Sequence, residues 1–319
     1  MNTVDAPLYS PAPEWTGRTD GPGSEHARWH STIKPLDPAT PDSAPGIALL
    51  GFASDEGVAR NHGRPGAAAG PAALRAALGS LALHHAHALY DAGTVTTQAT
   101  DLEGAHDELS RTVESLSRAG HLPLVLGGGH ETAFGSHRGA YRAHGPLKII
   151  NLDAHFDLRT ADFPTSGTPF KQIAQLVGPQ AFDYSVLGIS RPNNTAVLFD
   201  EAAHLNVDVI LDEELLALDT AELRALAAQM ASGTGPIHLS IDLDVLPAAQ
   251  APGVSAPAGL GVPAAIIREL ALTIASTGRL ALVDVVELNP TFDLDARTAK
   301  LAARLIDDIV TAHFSAATA

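Results

Sequence analysis

From Gly46 onward, short apolar runs alternate with stretches in which apolar residues recur at helical spacing. The runs Ile47–Phe52, Leu122–Leu126, Lys148–Leu152, Tyr184–Ile189, Val207–Leu211, Ile237–Leu243 and Leu280–Val286 have strand length and almost no polar interruption, which predicts strands buried on both faces. Between them, Pro71–Ala77, Asp107–Arg118, Glu131–Ala143, Thr195–Ala203, Thr220–Ala231, Pro263–Ser276 and Asp295–Ala312 predict helices. A βαβ rhythm of this kind implies an α/β fold with a parallel sheet covered by helices on both faces. Ligands of such sheets bind in the crevice at the carboxyl ends of the strands.

Before residue 46 the pattern is lost. Eight of the 22 prolines fall there, among Gly, Ser and Thr, so residues 1–45 are expected to form an irregular arm rather than a packed element. With no later break in composition, residues 46–319 are expected to form one domain.

Composition narrows the chemistry. The 319 residues include no cysteine, which removes disulfides, thiolate metal sites and cysteine nucleophiles. The formal charge is −16, with Lys and Arg scattered, an unsuitable balance for nucleic acid or an anionic bilayer. Apolar runs fall far short of the roughly 18 residues that span a membrane, and no signal-peptide pattern opens the chain. A cytoplasmic protein is expected.

Polar clusters stand where three apolar runs stop. Gly127-Gly128-Gly129-His130-Glu131 follows the second run, Asp153-Ala154-His155-Phe156-Asp157 the third, and Asp242-Leu243-Asp244 ends the sixth. In extended chain, alternate side chains share a face about 6.6 Å apart, so Asp153 and His155, like Asp242 and Asp244, point together. Acids so close inside an apolar setting repel one another and need a proton or a cation between them. Two imidazoles, four carboxylates and no sulfur suit a hard to borderline divalent ion, Mn²⁺ before Zn²⁺ or Cu²⁺. Six ligands exceed the need of one ion and suit two, roughly 3.5–4 Å apart, with hydrolysis the implied reaction.

These three segments resemble the metal signatures of the arginase/agmatinase (ureohydrolase) superfamily over approximately residues 46–315. The resemblance implies a three-layer α/β/α sandwich, a mostly parallel central sheet and a catalytic domain holding two Mn²⁺ per subunit. It implies that His130, Asp153, Asp157 and Asp242 hold one ion and Asp153, His155, Asp242 and Asp244 the other, with Asp153 and Asp242 bridging. It also implies that Glu287, in Val285-Val286-Glu287-Leu288-Asn289-Pro290, pairs with the substrate's amidine-like cation, which a carboxylate can grip with two bonds.

Within the superfamily, the loop 51–67, Ser166-Gly167-Thr168-Pro169-Phe170 and Leu187–Thr195 are similar to formimidoylglutamases, which cleave N-formimidoyl-L-glutamate to L-glutamate and formamide in histidine degradation. Near Phe170 the chain lacks the proton-transfer histidine of arginases, leaving Asp157 as the candidate donor to the leaving amine. A substrate with two carboxylates calls for guanidinium partners. Arg60, Arg64, Arg159 and Arg191 are the candidates, with Asn61, Asn193 and Asn194 assisting. Relatives imply a homo-oligomer. The rival functions are an agmatinase or guanidino-acid ureohydrolase releasing urea, and a catalytically silent binding subunit.

Overall fold

The computed structural model describes residues 8–85 and 87–317; residues 1–7 of the expected arm, Ala86, and residues 318–319 at the end of the expected domain lie outside the described residues. The chain begins with β1 (Tyr9–Ser10), α1 (Trp29–Thr32), β2 (Lys34–Pro35), β3 (Ile47–Ala53), α2 (Glu56–Arg60), α3 (Gly70–Gly79) and β4 (Leu89–Thr96). It continues through α4 (Leu102–Arg118), β5 (Leu122–Leu126), α5 (Thr132–His144), β6 (Lys148–Leu152), α6 (Pro169–Val177), β7 (Asp183–Ile189) and α7 (Ala196–His204). It ends with β8 (Asp208–Leu211), α8 (Asp212–Ala217), α9 (Thr220–Met230), β9 (Ile237–Asp242), α10 (Ala264–Ala275), β10 (Leu280–Val286) and α11 (Arg297–Ala317).

All these strands join one ten-stranded sheet in the order β1-β4-β3-β5-β10-β9-β6-β7-β8, with β2 also paired to β4. Only the β1–β4 pairing is antiparallel. Successive residues of a strand face opposite layers. Ile47 and Leu49 of β3 and Leu124 and Leu126 of β5 pack with α3, α9, α10 and α11; Ala48, Leu50, Phe52 and Val125 pack with α4 and α5. Both faces are therefore dry, which is why the central strands read as unbroken apolar runs. The result is the expected three-layer α/β/α sandwich.

Four of the strands, β5, β10, β9 and β6, are consecutive neighbours across the middle of the sheet and run parallel. Their carboxyl ends therefore open into one crevice, and every predicted metal-ligating segment starts there.

The expectations miss β4, whose run Leu89–Thr96 is interrupted by Asp91 and Gly93. Asp91 is buried because Arg75 of α3 grips it with two bonds of 2.8 Å and the Trp15 indole donates to it at 2.7 Å. Also missed is α6, since Ser166-Gly167-Thr168 before Pro169 reads as loop. The arm needs a correction: it is irregular, yet it packs. Trp29 is completely buried in the main core and donates its indole N–H to Asp307 of α11 at 2.8 Å, and Leu36 is buried beside Tyr90. A few large apolar side chains anchor the segment without any periodic pattern.

Candidate metal centre

The turn after β5 can only be glycine. A Cβ on Gly128 would drive into the Ser54 carbonyl, and one on Gly129 into the Glu131 carboxyl group and Val58. Close packing of that turn sets His130 beneath the crevice, fully buried. Its Nδ1 lies 3.1 Å from Asp153 Oδ2, 3.0 Å from Asp157 Oδ2 and 3.0 Å from Asp242 Oδ2. One nitrogen carries at most one hydrogen and cannot serve three carboxylates, so this is the geometry of ligand atoms converging on a cation. A second group joins Asp153 to His155 and Asp244, with His155 Nδ1 3.1 Å from Asp244 Oδ2. Within each group the candidate ligand atoms lie within 4.8 Å of one another.

Asp153 belongs to both groups. Asp242 belongs to the first, and its Oδ1 accepts the Asp244 backbone N–H at 2.8 Å, as Asp153 Oδ1 accepts that of His155 at 2.7 Å.

The electrostatics agree with a missing positive charge. Burial alone lowers the His130 pKa, yet the carboxylates of Asp153, Asp157 and Asp242 gathered at its Nδ1 overcome that and hold it well above the usual imidazole value. His155 behaves likewise through Asp244 and Asp153. Burial, then the charges of Asp244 and Asp153, push Asp242 well above the carboxylate range, and Asp244 Oδ1 is buried without a hydrogen-bond partner. Protons gather on this cluster where a divalent cation would neutralise it, and the donor set fits Mn²⁺.

A buried chain of polar groups fixes the first imidazole. Ser240 Oγ donates to Asp284 Oδ1, so the same oxygen accepts from His130 Nε2–H at 3.0 Å and leaves Nδ1 to face the carboxylates. His238 Nε2 donates to Asp284 Oδ2 at 2.7 Å, and the His137 ring meets the far side of His238 at 3.1 Å. None of these four was expected from sequence, although Ser240 and Asp284 are polar residues inside otherwise apolar strands.

Asp157 and Glu287 both adopt left-handed backbone, with φ of 49° and 69°. That conformation is uncommon outside glycine and marks strained, functional positions. It turns Glu287 back from the end of β10 so that its Oε1 accepts the His130 N–H at 2.8 Å while the side chain lines the crevice. Burial first, then Glu131 and Asp244, raise the Glu287 pKa well above its usual value, so this acid lacks a cation of its own.

The crevice is a cavity of about 190 Å³ lined by the candidate metal ligands other than Asp153, by Glu287, and by Asn61, Arg159, Ser166, Asn194 and Ser255. Of the four candidate arginines, only Arg159 reaches it. Arg60 pairs with Glu56 and Glu103 at 2.9 Å each. Arg64 donates to the carbonyls of Ser255 and Val254 and lies over the Phe292 ring. Arg191 points outward beside Glu213. Asn193 does not line the cavity. Asn194 does, but its amide is taken up by Ala154, Ser190 and Phe156 backbone groups, so it braces the loop that carries His155. Each outcome depends on partners distant in sequence.

A model of the arginase family matches residues 45–311. The chain belongs to the arginase family. Formimidoylglutamase of Corynebacterium efficiens is 52% identical over 95% of this chain and 96% of its own. Formimidoylglutamase of Nocardia farcinica is 52% identical over 95% of this chain and 97% of its own. Among solved structures, Trypanosoma cruzi formiminoglutamase with Mn²⁺ is 28% identical, covers 83% of this chain and 92% of its own, and superposes with a TM-score of 0.76. In this member of the arginase family, Phe170 is fully buried, stacked on Tyr184 with its edge towards His130 at 5.2 Å between ring centres. No imidazole stands at that point.

Proposed function

We propose that this chain hydrolyses N-formimidoyl-L-glutamate to L-glutamate and formamide, a step of histidine degradation, on a centre of two Mn²⁺ per subunit held by His130, Asp153, His155, Asp157, Asp242 and Asp244. The observation that carries the reading is a single cavity whose lining joins the buried acids of both ligand groups to Arg159. Bound metal supplies a Lewis acid and a water acidified towards neutral pH. Glu287 holds the formimidoyl group as its cation, through two parallel N–H···O bonds. Arg159 takes a substrate carboxylate with its planar fork, and Asn61 and Ser166, joined by a 3.2 Å hydrogen bond, flank it. Of the acids in the His130 group, Asp157 has the largest side-chain exposure, 12%, so its carboxyl group is the one we assign to pass a proton to the departing glutamate nitrogen.

An agmatinase would have to receive an ammonium group where Arg159 stands, which disfavours that alternative. A silent binding subunit is disfavoured by the complete donor set. A guanidino acid shares the carboxylate and is separated by assay: formamide release must exceed urea release from guanidinobutyrate or agmatine, and the reverse order overturns the proposal.

The same proposal comprises residues 46–319 as the catalytic domain with 1–45 as its arm, a cytoplasmic location and a homo-oligomer. No helix among the described residues is long and apolar enough to cross a membrane.

A further inference from the structure

Glu131 follows a metal-ligating residue, is completely buried, and takes no part in the mechanism above. Its Oε1 accepts two hydrogen bonds, from Ser54 Oγ at 2.9 Å and from the Gly57 amide at 3.0 Å, while its Oε2 has no partner. Gly57 is in turn a junction. Its carbonyl accepts from the backbone N–H of Asn61 at 3.0 Å and from that of Ser166 at 3.0 Å. Those two residues, 105 positions apart, are then tied side chain to side chain. Beside them, the Gly167 carbonyl accepts the Arg159 N–H at 2.9 Å, and a Cβ on Gly167 would meet Arg159 Cδ at 2.8 Å and Asn61 Nδ2 at 3.2 Å. One residue of α2 thus joins the end of that helix, the loop before α6 and, through Gly167, the cavity's arginine.

We infer that Glu131 is a positioning residue: by holding Gly57 it locks the Asn61, Ser166 and Arg159 wall to the turn that carries His130, and so sets where the substrate's carboxylates sit relative to the metal. The grip is rigid. The Glu131 carbonyl accepts from His106 Nε2 at 2.8 Å, and Gly57 lies so close that a Cβ there would be 2.5 Å from Glu131 Cδ. Two donors, the Ser54 hydroxyl and the Gly57 amide, converge on one carboxyl oxygen, which suits a joint between α2 and the turn that carries His130. A carboxyl group buried with one oxygen unpaired is costly, and removing only its partner-bearing function leaves the loops untied.

The inference rests on the substrate reading above, and the test separates the two. In the Mn²⁺-loaded full chain, Glu131→Ala is expected to raise KM for formimidoylglutamate about tenfold with kcat within about twofold. Mn²⁺ content stays at the wild-type value, and amide hydrogen exchange quickens in segments 56–61 and 165–168. Glu131→Gln, which keeps an acceptor oxygen, returns KM towards wild type. Gly57→Ala, which presses on the joint from the other side, reproduces the KM rise and decides the matter if Glu131→Ala does not fold. Loss of Mn²⁺, a fall in kcat at unchanged KM, or unaltered exchange in both segments overturns the inference. If the wild-type chain releases no formamide, the substrate reading fails, and the exchange data with the Kd of L-glutamate still decide on Glu131.

Discussion

Two regions of this molecule take aspartates out of water, and they do it in opposite ways. At the β4 edge, Asp91 has a guanidinium clamped across both oxygens, an indole N–H and the Gly93 amide at 3.0 Å. At the carboxyl ends of β6 and β9, Asp153, Asp157, Asp242 and Asp244 face one another with only two imidazoles among them. The first acid is complete within the chain; the second set is not, and needs a cation from outside. Burial of a charge therefore signals a site only where its compensation is absent.

The sharpest way to break this contrast is to remove one acid from each region. Asp242→Ala should lose Mn²⁺, read by metal analysis, and lower kcat/KM by about a thousandfold. Asp91→Ala should leave Mn²⁺ content and KM as they are, yet cost about 3–5 kcal/mol in urea unfolding, because Arg75 is left buried and unpaired. Retained metal in the first variant or wild-type stability in the second would erase the distinction.

Metal removal sharpens it further. In the metal-free protein His130 and His155 have pKa values raised well above 6.5. The stability they contribute is complete below pH 6.5, their value in the unfolded chain, and is lost as pH rises through the raised folded values. The Tm of the metal-free protein should accordingly fall as pH climbs from 6.5, and Mn²⁺ should flatten that slope; a Tm that rises over the same window contradicts the account.

Smaller effects distinguish the arginines. Arg159→Ala should raise KM for formimidoylglutamate about tenfold with little change in kcat. Arg191→Ala should change neither constant nor stability beyond about 1 kcal/mol, as befits an exposed ion pair.

The same contrast explains what the sequence made legible. Strands β5, β6 and β10 were readable to the residue because both their faces are dry, and the candidate metal ligands stood out because they are polar residues at the ends of the apolar strands β5, β6 and β9. Strand β4 was hidden by Asp91 and Gly93, whose reason for being there is Arg75, on another element. The substrate wall was hidden for a related reason: whether an arginine is free depends on Glu103, Glu213 or the Ser255 carbonyl, none of which its local sequence announces. Glu131, next to a clear metal signature, looked like the first residue of a helix, and its bonds reach back to residues 54 and 57.

The indole of Trp29, seated in the core and bonded to Asp307, ties an early segment to the final helix across 278 positions. During synthesis that ring meets its acceptor only after residue 307 has left the ribosome, long after its neighbours in α3. Completion of that contact is thus a late event, and with Trp15→Phe leaving Trp29 as the reporter, a nascent chain halted before residue 307 should show more solvent-exposed emission than one that includes α11.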